Sequence, residues 1–479
     1  MPGAVQCRSG TASGSARRGS RAATGSPASG RENSPDTGLG ALVARFSLGW
    51  LVVANLAGLL LATLLLSPEL NDRLAPLTYG RWAPVHLNAQ LYGWCALPLV
   101  GLLLRAFLVP GAEATRHTWL ALGIWSAALA FGAVTWLAGE SSGKLFLDWT
   151  GPARYAFPLA LSVLWSVLAY HAVLRLAGTT HPRADRGRSA STASIPHSAI
   201  RSPQFAHLLR FGLLAGLLAV PTVLYFSAGP QLYPAVNPNS GGATGTSLFG
   251  STLGLVLIFA AAPDLLGLSV VSGRRNSLLL WPALAAATAL FVALDHGHAS
   301  HHATAQIAAL GLLLAAPWLI ARAWRRRQWA DGSAPWLIAA LAWGVLLVAD
   351  GWLTFLPGFS ERLKFTNGLV AHAHLAMAGL ITSLNAAFLL NLGDSPRVRA
   401  ALGRRWAFWL WQSGCAVQVV VLFALGWNEA ADPQLVFDQG TVTKLVYSVR
   451  WLAGAAMTTA SIVWLIAVFS RAGATREDN

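Results

Sequence analysis

The chain has 479 residues, 54% hydrophobic and only 11% charged, with a mean hydropathy of +0.51. Soluble domains carry about 25% charged residues. That composition excludes a soluble globular class, and repeated apolar runs of about twenty residues define an all-α polytopic membrane protein. A net charge of +15 would suggest nucleic acid in a soluble protein. Here the basic residues sit on short loops between apolar segments, which removes nucleic acid as a partner and leaves membrane lipid.

Residues 1–39, rich in Arg, Ser and Gly, lack the apolar core of a secretory signal and are expected to be a disordered basic tail. About twelve transmembrane helices are predicted after it, at 41–66, 82–108, 117–138, 154–177, 205–228, 243–268, 277–296, 303–323, 335–356, 366–392, 404–428 and 442–470. They form one membrane domain, 40–470, interrupted by a polar, disordered loop at about 178–203 and followed by a short tail, 471–479. With the N-terminus inside, 26 of the 34 Lys and Arg residues fall on the inner side. This is the positive-inside bias of a protein with both termini cytoplasmic. Three scattered cysteines, Cys7, Cys95 and Cys415, make no disulfide framework, and no CxxCH motif signals covalent haem.

Seven of the twelve histidines lie in three clusters: His86, the group His296, His298, His301 and His302, and the pair His372 and His374. On the predicted topology all three clusters sit at one depth, in the outer part of the membrane. Ionisable side chains at membrane depth are costly and mark functional sites. The remaining transmembrane-domain histidines, such as His117, His171 and His207, fall at inner ends or in the inner loop, where polar interfacial residues are ordinary.

The stretch "GLVAHAHLAMAGL", residues 368–380, carries histidines at i and i+2. On an α-helix such side chains point about 200° apart. His372 and His374 therefore face opposite sides of one helix and each serves a different partner, as axial ligands of flat cofactors on either side would. The alternative is a pair of interfacial histidines in a small-residue packing face. His86, in "GRWAPVHLNAQLYGW", is read either as an interfacial histidine or as the opposite ligand to one of that pair. In "LDHGHASHHATAQ", residues 294–306, His298 and His302 share a face if helical. Imidazole clusters suit copper, zinc or iron, and a histidine-rich turn without metal is the alternative.

These residues resemble subunit I of the haem–copper oxidase superfamily, closest to cbb-type cytochrome c oxidases and next to nitric oxide reductases. The resemblance spans about residues 40–470 and the twelve-helix count. It implies a subunit I-like bundle with two b-type haems, in the inner (plasma) membrane of a bacterial-type cell. "GRWAPVHLNAQLYGW" is similar to the second-helix segment that carries a low-spin haem ligand, and "HAHLAMAGL" to the tenth-helix HxH. The resemblance thus implies His86 and His374 as the low-spin pair and His372 as the high-spin ligand. "FLDWTGPARY" is similar to an outer-loop segment whose carboxylate helps hold calcium, which implies Asp148; a solvated loop acid is the alternative. "YSVRWLAGA" is similar to the last-helix segment near the haem propionates, which implies Arg450, otherwise an interfacial anchor.

The sequence departs from that family at the copper site. Gly241 stands where a sixth-helix copper histidine belongs, and the seventh-helix pair is replaced by the group His296, His298, His301 and His302, the candidate copper ligands. Acidic residues in the spans are few, with Asp264 and Asp350 near helix ends. The expected function is a respiratory terminal-oxidase-like oxidoreductase, moving electrons from a low-spin to a high-spin haem and reducing O2 or NO. Its donor would be a c-type cytochrome or a cytochrome-bearing partner subunit. The alternative is a di-haem electron carrier or gas sensor without copper. A transporter would rest on span number alone.

Overall fold

The computed structural model describes residues 38–144, 147–180, 203–229, 254–271, 280–294, 304–363, 366–437 and 439–470, all within one compact unit, Asp36–Asn479. All but the edges of the predicted tail 1–39 and loop 178–203 lie outside these residues, as do 471–479, Gly241 and the four histidines 296–302.

Inside a bilayer the backbone must satisfy its own polar groups, as helix or closed barrel; apolar runs of about twenty residues suit helix, and the described residues form no strand. The longer apolar helices among the described residues are α1 (Leu39–Leu66), α2 (Tyr79–Phe107), α3 (Ala112–Ala138), α4 (Ala153–Thr180), α5 (Pro203–Ser227), α6 (Leu255–Leu265), α7 (Leu280–Leu294), α8 (Ile307–Trp324), α9 (Ser333–Leu353), α10 (Asn367–Asn391), α11 (Arg405–Glu429) and α12 (Thr441–Phe469). Ten of them are long and apolar enough to cross a membrane; α6 and α7, at 11 and 15 residues, are shorter apolar helices at the places of the sixth and seventh predicted spans. The chain is an all-α polytopic membrane protein. Large apolar side chains such as Val134, Leu159, Val420 and Leu452 are exposed on the bundle and face lipid.

Helix α10 is the central element, with 72% of its apolar window buried. It packs against α1, α2, α9 and α11, while α12 closes the bundle against α1 and α11. Two segments of π-helix interrupt the α pattern, Ala89–Cys95 in α2 and Leu375–Ile381 in α10. The first begins within a turn of His86 and the second directly after His374. The two touch, and the Cys95 thiol donates to Met377 Sδ at 3.5 Å. The Thr382 hydroxyl donates to the Met377 carbonyl and accepts from Trp94 Nε1 at 2.8 Å, which stitches α10 to α2. Such π segments recur at functional sites.

Basic side chains close helix ends throughout. Arg81 donates to Leu137 O at the end of α3, Arg154 to Tyr225 O at the end of α5, and Arg175 to Phe107 O and Leu108 O at the end of α2. Arg105 spans Leu266 O and Leu392 O, the last turns of α6 and α10. Terminal carbonyls have no partner within their own helix and carry the negative end of its dipole, so a guanidinium there supplies donors and charge together.

Candidate functional site

Three histidines lie within the second turn or so of their helices, at the end of the bundle where α1 finishes and α2, α10 and α12 begin. Each is half-buried, although α2 and α10 are interior helices. His86 Nδ1 lies 2.7 Å from Ala54 O of α1. His374 Nδ1 lies 2.8 Å from Val370 O, one turn earlier in its own helix. His372 Nδ1 lies 2.6 Å from Asp350 Oδ2 at the end of α9. Carbonyl oxygens only accept, so the Nδ1 atoms of His86 and His374 carry the proton and donate it. A carboxylate at Nδ1 selects the same tautomer in His372. In the neutral ring, all three imidazoles therefore keep the lone pair on Nε2. This is the tautomer of a metal-ligating histidine, oriented by an oxygen on its far nitrogen.

His372 and His374 point to different neighbours, as their i, i+2 spacing requires. His372 reaches α9. His374 is an electrostatic neighbour of His86 and of Arg450, and Arg450 acts on His86 as well. Thus α2, α10 and α12 converge on one side of α10. Close approach of His86 depends on Gly58 of α1, where an added Cβ would lie 2.6 Å from His86 Cε1. Gly351 lies beside His372, where an added Cβ would make an ordinary van der Waals contact with its Cε1 at 3.4 Å.

Around this side sits a donor set without a matching acid. The Arg450 guanidinium donates to the Tyr79 hydroxyl and neighbours Tyr447. Among the described residues no carboxylate forms an ion pair with Arg450. Trp82, one helical turn before His86, keeps its indole N–H buried with no acceptor among the described residues. A guanidinium with no carboxylate partner among the described residues, and an indole N–H with no acceptor among them, suit a carboxylate-bearing ligand beside the two imidazoles.

Asp148 lies in the α3–α4 loop and is buried. Its carboxylate accepts from the Ser141 hydroxyl at 2.6 Å, and from the Ser142 amide and hydroxyl at 2.6 and 2.8 Å. Lys144, an electrostatic neighbour of Asp148, donates to the carbonyls of Ser227, Ala228 and Gly229 at 2.7–3.0 Å, closing the end of α5. Within the protein the Asp148 carboxylate is met by these hydroxyl and amide donors and by the nearby Lys144 charge.

Asp350 is the site residue that sequence reasoning passed over as an acid near a helix end. The available signal was an ionisable residue in an apolar segment, which demands a partner. Asp264, the other such acid, pairs with Arg327 at 2.6 Å. His117 and His171, read from sequence as interfacial, form a pair between α3 and α4 with Nδ1 and Nε2 2.9 Å apart; His171 is fully buried and its Nδ1 accepts from Val109 N. Among the described residues no group of three or more His, Cys, Asp or Glu side chains is placed to hold a metal. No family model matches the chain, and no curated protein matches it.

Proposed function

We propose that the chain is a haem-b membrane oxidoreductase resembling the catalytic subunit of a cbb-type cytochrome c oxidase. The observation that carries this reading is the shared tautomer of His86, His372 and His374, each with an oxygen at Nδ1 and Nε2 left as ligand. His86 and His374 would hold a low-spin b haem from two helices. His372 would hold a second haem on the opposite side of α10, the one that would bind a gas. The haems supply reversible one-electron chemistry and the capacity to bind O2 or NO. Arg450, Tyr79 and Trp82 would bind propionate carboxylates.

Asp350 orients His372 and, by accepting its proton-bearing nitrogen, makes Nε2 a stronger donor. Copper, where present, falls to His296, His298, His301 and His302. The protein would sit in a bacterial-type plasma membrane with both termini cytoplasmic, and take electrons from a c-type cytochrome or a cytochrome-bearing partner subunit. Gly241, in place of a copper histidine, favours a second reading, a di-haem electron carrier or gas sensor without copper.

Counting metals in the purified protein separates the two readings. Two b haems with one copper support the oxidoreductase, two b haems without copper support the carrier or sensor, and no haem removes both.

A further inference from the structure

The run that carries both α10 histidines is short: residues 367–374 lie between an N-terminal cap at Thr366 and the π segment beginning at Leu375. Two residues of the last turn of α11, Gly426 and Glu429, press on its start. Gly426 meets it backbone to backbone. A Cβ on Gly426 would lie 2.0 Å from Gly368 N, 2.7 Å from Gly368 Cα and 2.9 Å from Asn367 C. None of these is the end of a flexible side chain, so a larger residue has to move the helix. Glu429 Oε2 accepts from the Asn367 amide at 2.8 Å and from Asn367 Nδ2 at 2.9 Å. Trp427 carries the Arg362 guanidinium 4.8 Å from its ring centre and packs against Phe359, fixing the segment that leads into α10. At the far end of the run, Cys415 Sγ reaches His374 O at 4.0 Å.

We infer that the last turn of α11, through Gly426 and Glu429, is the positioning device for the ring planes of His372 and His374. His372 is five residues from Asn367, about 7.5 Å along the axis at 1.5 Å per residue. A helix this short, held at both ends, transmits a shift at its start to the imidazoles as a rigid body. Glu429 is a negative group at a helix N-terminus, where the dipole favours it, and as an acceptor it satisfies an amide that the helix itself cannot.

This inference rests on the haem-ligand reading of the two histidines, and the experiment keeps the two apart. Wild type, Gly426→Ala, Glu429→Ala and Glu429→Gln are purified in detergent, and three properties are read: haem per chain, the g-values of the low-spin ferric signal, and thermal stability. Glu429→Gln keeps an acceptor for the Asn367 amide and is expected to give the wild-type signal. Glu429→Ala and Gly426→Ala are expected to shift the g-values and to lower haem retention about 10-fold, the scale of losing a group that orients a ligand. Should Gly426→Ala fail to fold, the contrast between Glu429→Ala and Glu429→Gln decides alone. Wild-type g-values and haem content in Glu429→Ala, with only stability lowered, overturn the inference while the haem reading stands. A wild-type protein without haem fails the haem reading itself, and the inference with it.

Discussion

Nδ1 of His372 donates to the Asp350 carboxylate across 2.6 Å, joining the end of α9 to the start of α10. A charged acceptor makes a shorter and stronger bond than the carbonyls that serve His86 and His374. The imidazole of His372 is therefore the more electron-rich of the three, and metal bound at its Nε2 would be stabilised in the oxidised state. Asp350→Asn keeps an acceptor and removes the charge. The midpoint potential of the CO-binding haem is expected to move positive in this variant, while Asp350→Ala lowers haem occupancy about 10-fold. An unchanged potential in Asp350→Asn contradicts the assignment.

Gly58 tests the low-spin side without touching a ligand. Alanine there places a methyl 2.6 Å from His86 Cε1, closer than packed atoms tolerate, so the ring must tilt away from Ala54 O. Gly58→Ala is expected to shift or abolish the low-spin signal while leaving CO binding at the His372 side. If both signals match wild type, His86 is not held against α1 as described.

Much of this fold was legible in the sequence because hydrophobic length is a strong signal in a bilayer. The first span, expected at 41–66, is the helix Leu39–Leu66. The separation of His372 from His374 followed from helix geometry alone. The partner of His372 did not, since Asp350 lies 22 residues away across a loop and hydropathy says nothing of which helices meet. The π segments after His86 and His374 were equally hidden, because a change of hydrogen-bond register leaves the apolar pattern intact. Charge counting is silent on Lys144, Arg81 and Arg154, whose work at the ends of α3 and α5 depends on packing that a count does not contain.

Lys144 should matter for stability well away from the histidines. Its ammonium serves three carbonyls at the end of α5. Lys144→Met leaves those oxygens without that donor, at a cost of about 2 kcal/mol or more. A lower thermal midpoint with unchanged haem spectra is expected. An unchanged midpoint would show that solvent or other groups replace the cap at no cost.

The side of the membrane on which the histidines lie follows from the topology. Reporters inserted near residue 190 are expected to read cytoplasmic, and those near residue 145 external. Reversal of both would invert the bundle and place the histidine end on the cytoplasmic side.

The central claim is that three imidazoles hold two haems on opposite sides of α10. It is tested most directly by haem per chain, with the low-spin signal and the reduced-plus-CO difference spectrum, in wild type and the single variants His86→Ala, His374→Ala and His372→Ala. The account predicts two b haems in wild type, loss of the low-spin signal in His86→Ala and in His374→Ala, and loss of CO binding alone in His372→Ala. Two haems with unaltered spectra in any of the three variants, or a wild-type protein that carries none, would contradict it.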